Sequence, residues 1–186
     1  MGDCHYLDGN IHLSKHMQVV EYLLDLMGIG RERMAVRWLS AAEGHRFAEY
    51  VKEFSEKIRQ LGPFDPREFI LPLSAAWGTL NTPRLRWLMG IELKIIERGN
   101  VYQEKIGEKE YCDLLKKASE DEYHDALILE VLKEGAQSVR EIALKTGLPV
   151  YTVSLRLGEL ERRHKATLKG YDGNISLFSS LVSEVA

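Results

Sequence analysis

Residues 138–160 read SVREIALKTGLPVYTVSLRLGEL. Ser138 and Glu141 form a capping box, in which the serine hydroxyl accepts from the third helical N–H and the glutamate reaches back to the serine amide. Ile142 and Ala143 give the short helix an apolar side, and Gly147 ends it. Pro149 opens another helix, carrying Tyr151, Val153, Leu157 and Leu160 at helical spacing. Upstream, Ser119-Glu120-Asp121-Glu122 is expected to cap a helix bearing Tyr123, Leu127, Val131 and Leu132 that stops at Gly135. Downstream, Ala166–Gly170 and Ile175–Phe178 flank Tyr171-Asp172-Gly173-Asn174, a hairpin signal. Three helices and a hairpin, with a tight turn between the second and third helices, predict a winged helix-turn-helix over residues 119–180.

Working back from there, residues 63–118 predict a helical bridge. Asp65-Pro66 and Thr82-Pro83 each place a capping side chain before a proline at the first helical position. Pro72 is expected to break or kink the first of these helices. The second, Leu85–Glu97, is expected to present Leu88, Leu93, Ile95 and Ile96 and to stop at Gly99-Asn100. Cys112 falls among Tyr111, Leu114 and Leu115 and reads as a half-buried structural cysteine. Residues 1–62 predict helix, strand, helix. Leu13, Met17, Val20, Leu24 and Met27 mark one face of a helix closed by Gly28, and Met34–Leu39 half-alternates as a strand. Ser40 and Glu43 suggest a second capping box, opening a helix with Phe47, Val51, Phe54, Ile58 and Leu61 on one stripe. The expected fold class is α/β but mainly α: a partial α/β domain, a helical bridge and a C-terminal winged helix.

Composition bounds the function. The chain has 186 residues, 45% hydrophobic and 28% charged, with a net charge of −3. That is ordinary for a globular protein and unlike an electrostatic trap for nucleic acid or anionic membrane. No apolar run approaches the roughly 18 residues of a membrane span. Two cysteines, Cys4 and Cys112, make no disulfide framework, and no secretory signal is visible. A cytoplasmic setting follows as the expectation.

A winged helix raises nucleic acid binding. The candidate contacts are Thr152, Ser154, Arg156, Arg162 and Arg163, with Lys165 and Lys169 near the wing. Residues 138–178 hold seven Lys/Arg against four Asp/Glu, and extending back to Ser119 reverses the sign. That is weak for a domain relying on phosphate neutralisation. The helix start also offers no Arg, Asn or Gln for base edges. A protein-docking module of the same fold is favoured over a DNA-binding regulator. His12 and His16 sit at i, i+4, a spacing that can grip zinc, but no acidic or cysteine partner follows at a diagnostic distance, so they read as surface histidines. Phosphate loop, nucleophile elbow and paired carboxylates are absent, so no self-sufficient catalyst is expected.

The remaining motif is Gly2-Asp3-Cys4-His5-Tyr6, on spacing alone a loop cysteine. With Gly9-Asn10, Met27-Gly28-Ile29, Arg33, Trp38, Ser40-Ala41-Ala42-Glu43-Gly44 and Phe47-Ala48, it resembles the iron–sulfur (delta) subunit of methyl-viologen-reducing hydrogenases over residues 2–62. The resemblance implies a two-iron, two-sulfur cluster with Cys4 as one ligand, and Asp3, His5 and Tyr6 beside it. It also implies electron relay as a component of an oxidoreductase complex. The implied partners are hydrogenase or dehydrogenase subunits and heterodisulfide reductase. The family's upstream cysteines have no counterpart here, so the site is expected to be incomplete in this chain alone. Either a start codon misplaced after a selenocysteine codon or a separately translated N-terminal half would account for that.

Overall fold

The computed structural model describes residues 9–99 and 102–181. Helices dominate, with one small antiparallel sheet. The order is α1 (Gly9–Leu26), α2 (Gly44–Leu61), α3 (Ile70–Leu80), α4 (Pro83–Leu93), α5 (Glu108–Leu132), β1 (Gln137–Ser138), α6 (Val139–Thr146), α7 (Val150–Arg162), β2 (Ala166–Asp172) and β3 (Ile175–Ser180). No helix among the described residues is long and apolar enough to cross a membrane. Two compact units are present. One takes the chain up to Phe69 together with Met89–Lys116; the other takes Ile70–Leu88 and everything from Lys117 onward.

In the first unit α1 lies along the start of α5. Lys15 donates to Glu108, Cys112 Sγ meets Gln18 at 3.9 Å, and the Lys116 ammonium stands 5.0 Å from the centre of the Tyr22 ring. Steps of three and four residues, rising together on both helices, make this a parallel pairing. The buried line of α1 is Lys15, Val19 and Leu23, rotated away from the face expected to pack; Leu13 is exposed. Met34–Leu39 forms no strand. It runs as an irregular segment toward α2, and with no ladder offered among the described residues its alternation is left unpaired.

The expected capping box at Ser40 is half built. Glu43 Oε2 accepts from the Ser40 amide at 2.9 Å, but the Ser40 hydroxyl faces the Ala42 amide at 3.4 Å, and the helix starts only at Gly44. A local serine turn has displaced the cap. Arg33 spans to the far end of α2, donating to the carbonyls of Leu61 and Gly62 at 3.0 and 3.1 Å. The α2 stripe is left open: none of its residues is buried, and Phe47 is 60% exposed.

Asp65-Pro66 opens a 3₁₀ turn (Pro66–Phe69), and Asp65 accepts from the Arg67 amide at 3.0 Å. The chain then passes into α3, so Pro72 falls in the first turn of α3, where a missing N–H costs little and no kink is forced. Thr82 Oγ1 sits 3.4 Å from the Leu85 amide at the head of α4. The tail of α4 widens into a π turn, Lys94–Arg98. Gly99, at φ +77°, closes it by donating to the Lys94 carbonyl at 2.9 Å.

The expected helix start at Ser119 does not exist. Ser119 is fully buried in the middle of α5, which runs unbroken from Glu108. Its neighbour Ala118 is equally buried, and tertiary packing overrides the local capping signal.

In the second unit, Ile128, Val131 and Leu132 of α5 form a core with Ile142 of α6, Val153, Leu157 and Leu160 of α7, and Ala166 of β2. The Ser138 box is complete: its hydroxyl accepts from the Glu141 amide at 3.3 Å, and Glu141 Oε2 accepts from the Ser138 amide at 2.7 Å. Gly147 ends α6 in the left-handed region at φ 72°. The sheet order is β1-β3-β2, antiparallel throughout, with Asp172 opposite Ile175 across a two-residue Gly173-Asn174 turn and a bulge at Lys169. Ser138→Ala should lower the stability of this unit by about 1 kcal/mol, read as a lower urea midpoint. The amide of Ser138 holds the Glu141 pKa below its usual value. The box is therefore in place above the usual glutamate range and weakens as pH falls through that lowered value, so Glu141→Gln, which removes the titrating group, should flatten the acid limb of stability.

Candidate functional site

Cys4, Asp3, His5 and Tyr6 lie outside the described residues. The other cysteine, Cys112, is half-buried in the α1–α5 contact against Gln18. Two cysteines in the sequence fall short of the four thiolates that hold a two-iron cluster, so this chain's residues do not fit the group by themselves.

The candidate nucleic-acid residues sit on α7 and the hairpin, and acids answer several of the cations. Arg156 is buried. Its Nε and one terminal nitrogen each donate to Asp125 at 2.6 Å, and the other terminal nitrogen stands 3.3 Å from Asp121. Arg163 reaches Glu122 and Asp125, both at 3.3 Å, while Arg162 pairs with Glu159 one turn back on its own helix. Arg84 of α4 adds a third guanidinium, 3.5 Å from Glu122 and 3.7 Å from Asp121. Three arginines, Arg84, Arg156 and Arg163, thus meet three carboxylates of α5; Arg156 and Arg163 were, with Arg162, candidates for nucleic-acid contact. Thr152 is half-buried and Ser154 exposed at the start of α7; Lys165 precedes β2, and Lys169 occupies its bulge.

An open groove of about 400 Å³ lies beside α2, lined among others by Glu21, Met34, Arg37, Tyr50, Phe54 and Lys57. Arg37 stacks over the Tyr50 ring at 5.6 Å.

A second constellation was not anticipated. His12 and His16 on α1 meet Glu92 on α4, and one ligating atom from each lies within 4.8 Å of the others. Glu92 is 1% exposed, and neither of its carboxylate oxygens has a hydrogen-bond partner. Its approach to His12 Nδ1 is 3.7 Å, too long for a hydrogen bond. Burial pushes the Glu92 pKa up, against the pull of His12, Lys15 and His16. The two histidines are therefore partly enclosed beside an acid, correcting their reading as surface residues without an acidic partner. The sequence did hold a signal: Leu85, Leu88 and Glu92 share one buried stripe of α4, with a carboxylate where a leucine would be routine.

Comparison with known proteins covers only the first third of the chain. The iron–sulfur subunit of the F420-non-reducing hydrogenase of Archaeoglobus profundus is 44% identical over 64 residues, which are 34% of this chain and 47% of that protein. Its counterpart from the vhu enzyme of Methanopyrus kandleri is 39% identical over 62 residues, 33% and 47% of the two chains. One of the subunits of the ferredoxin:CoB-CoM heterodisulfide reductase of Methanosarcina mazei is 36% identical over 63 residues, 34% of this chain but 8% of that one. The match thus spans about half the length of the hydrogenase relatives. No solved structure matches. Residues 1–62 match the family described as methyl-viologen-reducing hydrogenase, delta subunit.

Proposed function

We propose that this chain is part of an electron-transfer subunit that works between a hydrogenase or another dehydrogenase and heterodisulfide reductase, with Cys4 as one thiolate of a two-iron, two-sulfur cluster. One observation carries the reading. A segment of 60-odd residues is similar both to proteins named as iron–sulfur subunits of hydrogenases and to a protein named as belonging to heterodisulfide reductase. A segment common to both is suited to the junction between them. Asp3, His5 and Tyr6 would flank the cluster, and the remaining thiolates would come from a stretch outside residues 1–186 or from another polypeptide. The open apolar stripe of α2, with Phe47 and Val51 exposed, offers a surface for such a polypeptide to cover.

Residues 119–180 are proposed as a winged-helix-like module for docking protein. The outward positions of α7 carry Val150, Tyr151 and Leu155, between 51% and 78% exposed. That favours an apolar partner over base edges or phosphates.

Anaerobic reconstitution with iron and sulfide tests the main reading. The chain alone should hold no stoichiometric cluster. The chain co-purified with heterodisulfide reductase subunits should carry one whose visible absorption is lost in Cys4→Ser. A full cluster in the isolated chain would refute the shared-ligand arrangement, and failure to co-purify would refute the partner assignment.

A further inference from the structure

We propose that His12, His16 and Glu92 form a binding site for a divalent transition-metal cation of the zinc class, separate from the cysteine motif. Two residues at i, i+4 project from one face of a helix, so α1 presents both imidazoles on the same side. The third donor comes from α4, outside the segment that matches the hydrogenase family.

The carboxylate is what points to a ligand. A buried side chain with two unsatisfied oxygens is costly unless something pairs with it, and here the unsatisfied oxygens face two imidazoles. One imidazole nitrogen, His16 Nε2, is itself buried without a partner. A cation supplies the missing partner to both groups at once.

Geometry is close to what such an ion needs. With bonds of about 2.0–2.1 Å, tetrahedral donors lie about 3.3 Å apart. The 3.7 Å between His12 and Glu92, and separations of up to 4.8 Å across the three donors, are closed by small side-chain rotations. Two imidazoles and one carboxylate suit zinc and its first-row neighbours; calcium and magnesium prefer oxygen alone. Three protein ligands leave a fourth position for water. The nearby Lys15 ammonium is the rival source of positive charge for Glu92, but it is drawn to Glu108 across the α1–α5 contact.

The site is independent of the electron-transfer reading, and its test is kept separate. The full chain is stripped with a chelator and titrated with zinc by calorimetry, and with cobalt(II) by absorption. One zinc per chain is expected, with affinity weakened at least about a hundredfold in His16→Ala and in Glu92→Gln, beyond the 10–100-fold typical of losing an outer-shell partner. Cys4→Ser should bind as the parent does. Cobalt should give visible d–d bands without the near-ultraviolet thiolate charge transfer of a cysteine site, a readout that needs no variant. Zinc binding that survives both ligand substitutions, binding lost in Cys4→Ser, a thiolate band, or no binding at micromolar zinc would each overturn the proposal.

Discussion

Arg156→Ala should cost the second unit about 3–5 kcal/mol, the range for stranding one partner of a buried ion pair. Arg156 is fixed on both edges of its guanidinium, by two 2.6 Å bonds to Asp125 and one 3.3 Å contact with Asp121. Removing it leaves the Asp125 carboxylate, 2% exposed, with only the longer contact from Arg163. For a unit of this size each kcal/mol is worth about 4–8 °C in Tm, so a fall of at least about 12 °C is expected. Thermal and urea unfolding followed by far-ultraviolet circular dichroism would measure it. Arg162→Ala is the contrast: its partner Glu159 lies on the exposed face of the same helix, and a loss below about 0.5 kcal/mol is expected. Arg156→Met combined with Asp125→Leu should recover most of the lost stability, because an apolar pair does not leave a charge behind. A loss under 1 kcal/mol in Arg156→Ala would mean that Asp125 is satisfied without it.

The same network bears on what α7 can do. A guanidinium committed to Asp125 is not available to neutralise a phosphate, and with Arg162 and Arg163 also answered by acids, the positive charge counted along residues 138–178 is largely cancelled by the fold. What α7 leaves outward at its start is a tyrosine between aliphatic side chains. The sequence count of charges was correct but blind to pairing: Asp121 and Asp125 precede Arg156 by more than thirty positions and meet it only through helix packing.

Features decided within four or five residues were legible. The Ser138–Glu141 box, the left-handed Gly147 and the Gly173-Asn174 turn are each held by groups adjacent in sequence, so their chemistry predicts their geometry. Features decided by a distant neighbour were not. Ser119-Glu120-Asp121-Glu122 has the letters of a helix start, yet burial of Ala118 and Ser119 carries the helix straight through. Met34–Leu39 alternates like a strand but has no strand to pair with among the described residues. On α1 the obvious apolar face misled because the inner line carries polar residues: the face reads His12, His16, Val19, Leu23, with Lys15 buried beside it. Two of the three candidate ligands therefore sat unrecognised on a helix whose position was predicted. The third could be read only as an acid on the Leu85–Leu88 stripe of α4.

Glu92→Gln should raise the Tm of the metal-free chain, because a carboxylate buried without a hydrogen bond is costlier to desolvate when charged than a neutral amide of the same shape. The sign follows from the competition at this position. Burial raises the pKa of the carboxyl, and His12, Lys15 and His16 together do not bring it back to its ordinary value. The charged form is therefore worse off folded than unfolded. Glutamine keeps the shape and removes the charge, so Tm in the presence of a chelator should rise. Adding zinc should reverse the order: the parent gains stability by ligand linkage while Glu92→Gln does not, and the two melting curves cross. A glutamate that only balanced Lys15 would behave differently, since Glu92→Gln would then lower Tm whether or not zinc is present. The crossing separates a carboxylate kept for an ion from one kept for a salt bridge, because only the former trades stability of the empty chain for stability of the loaded one.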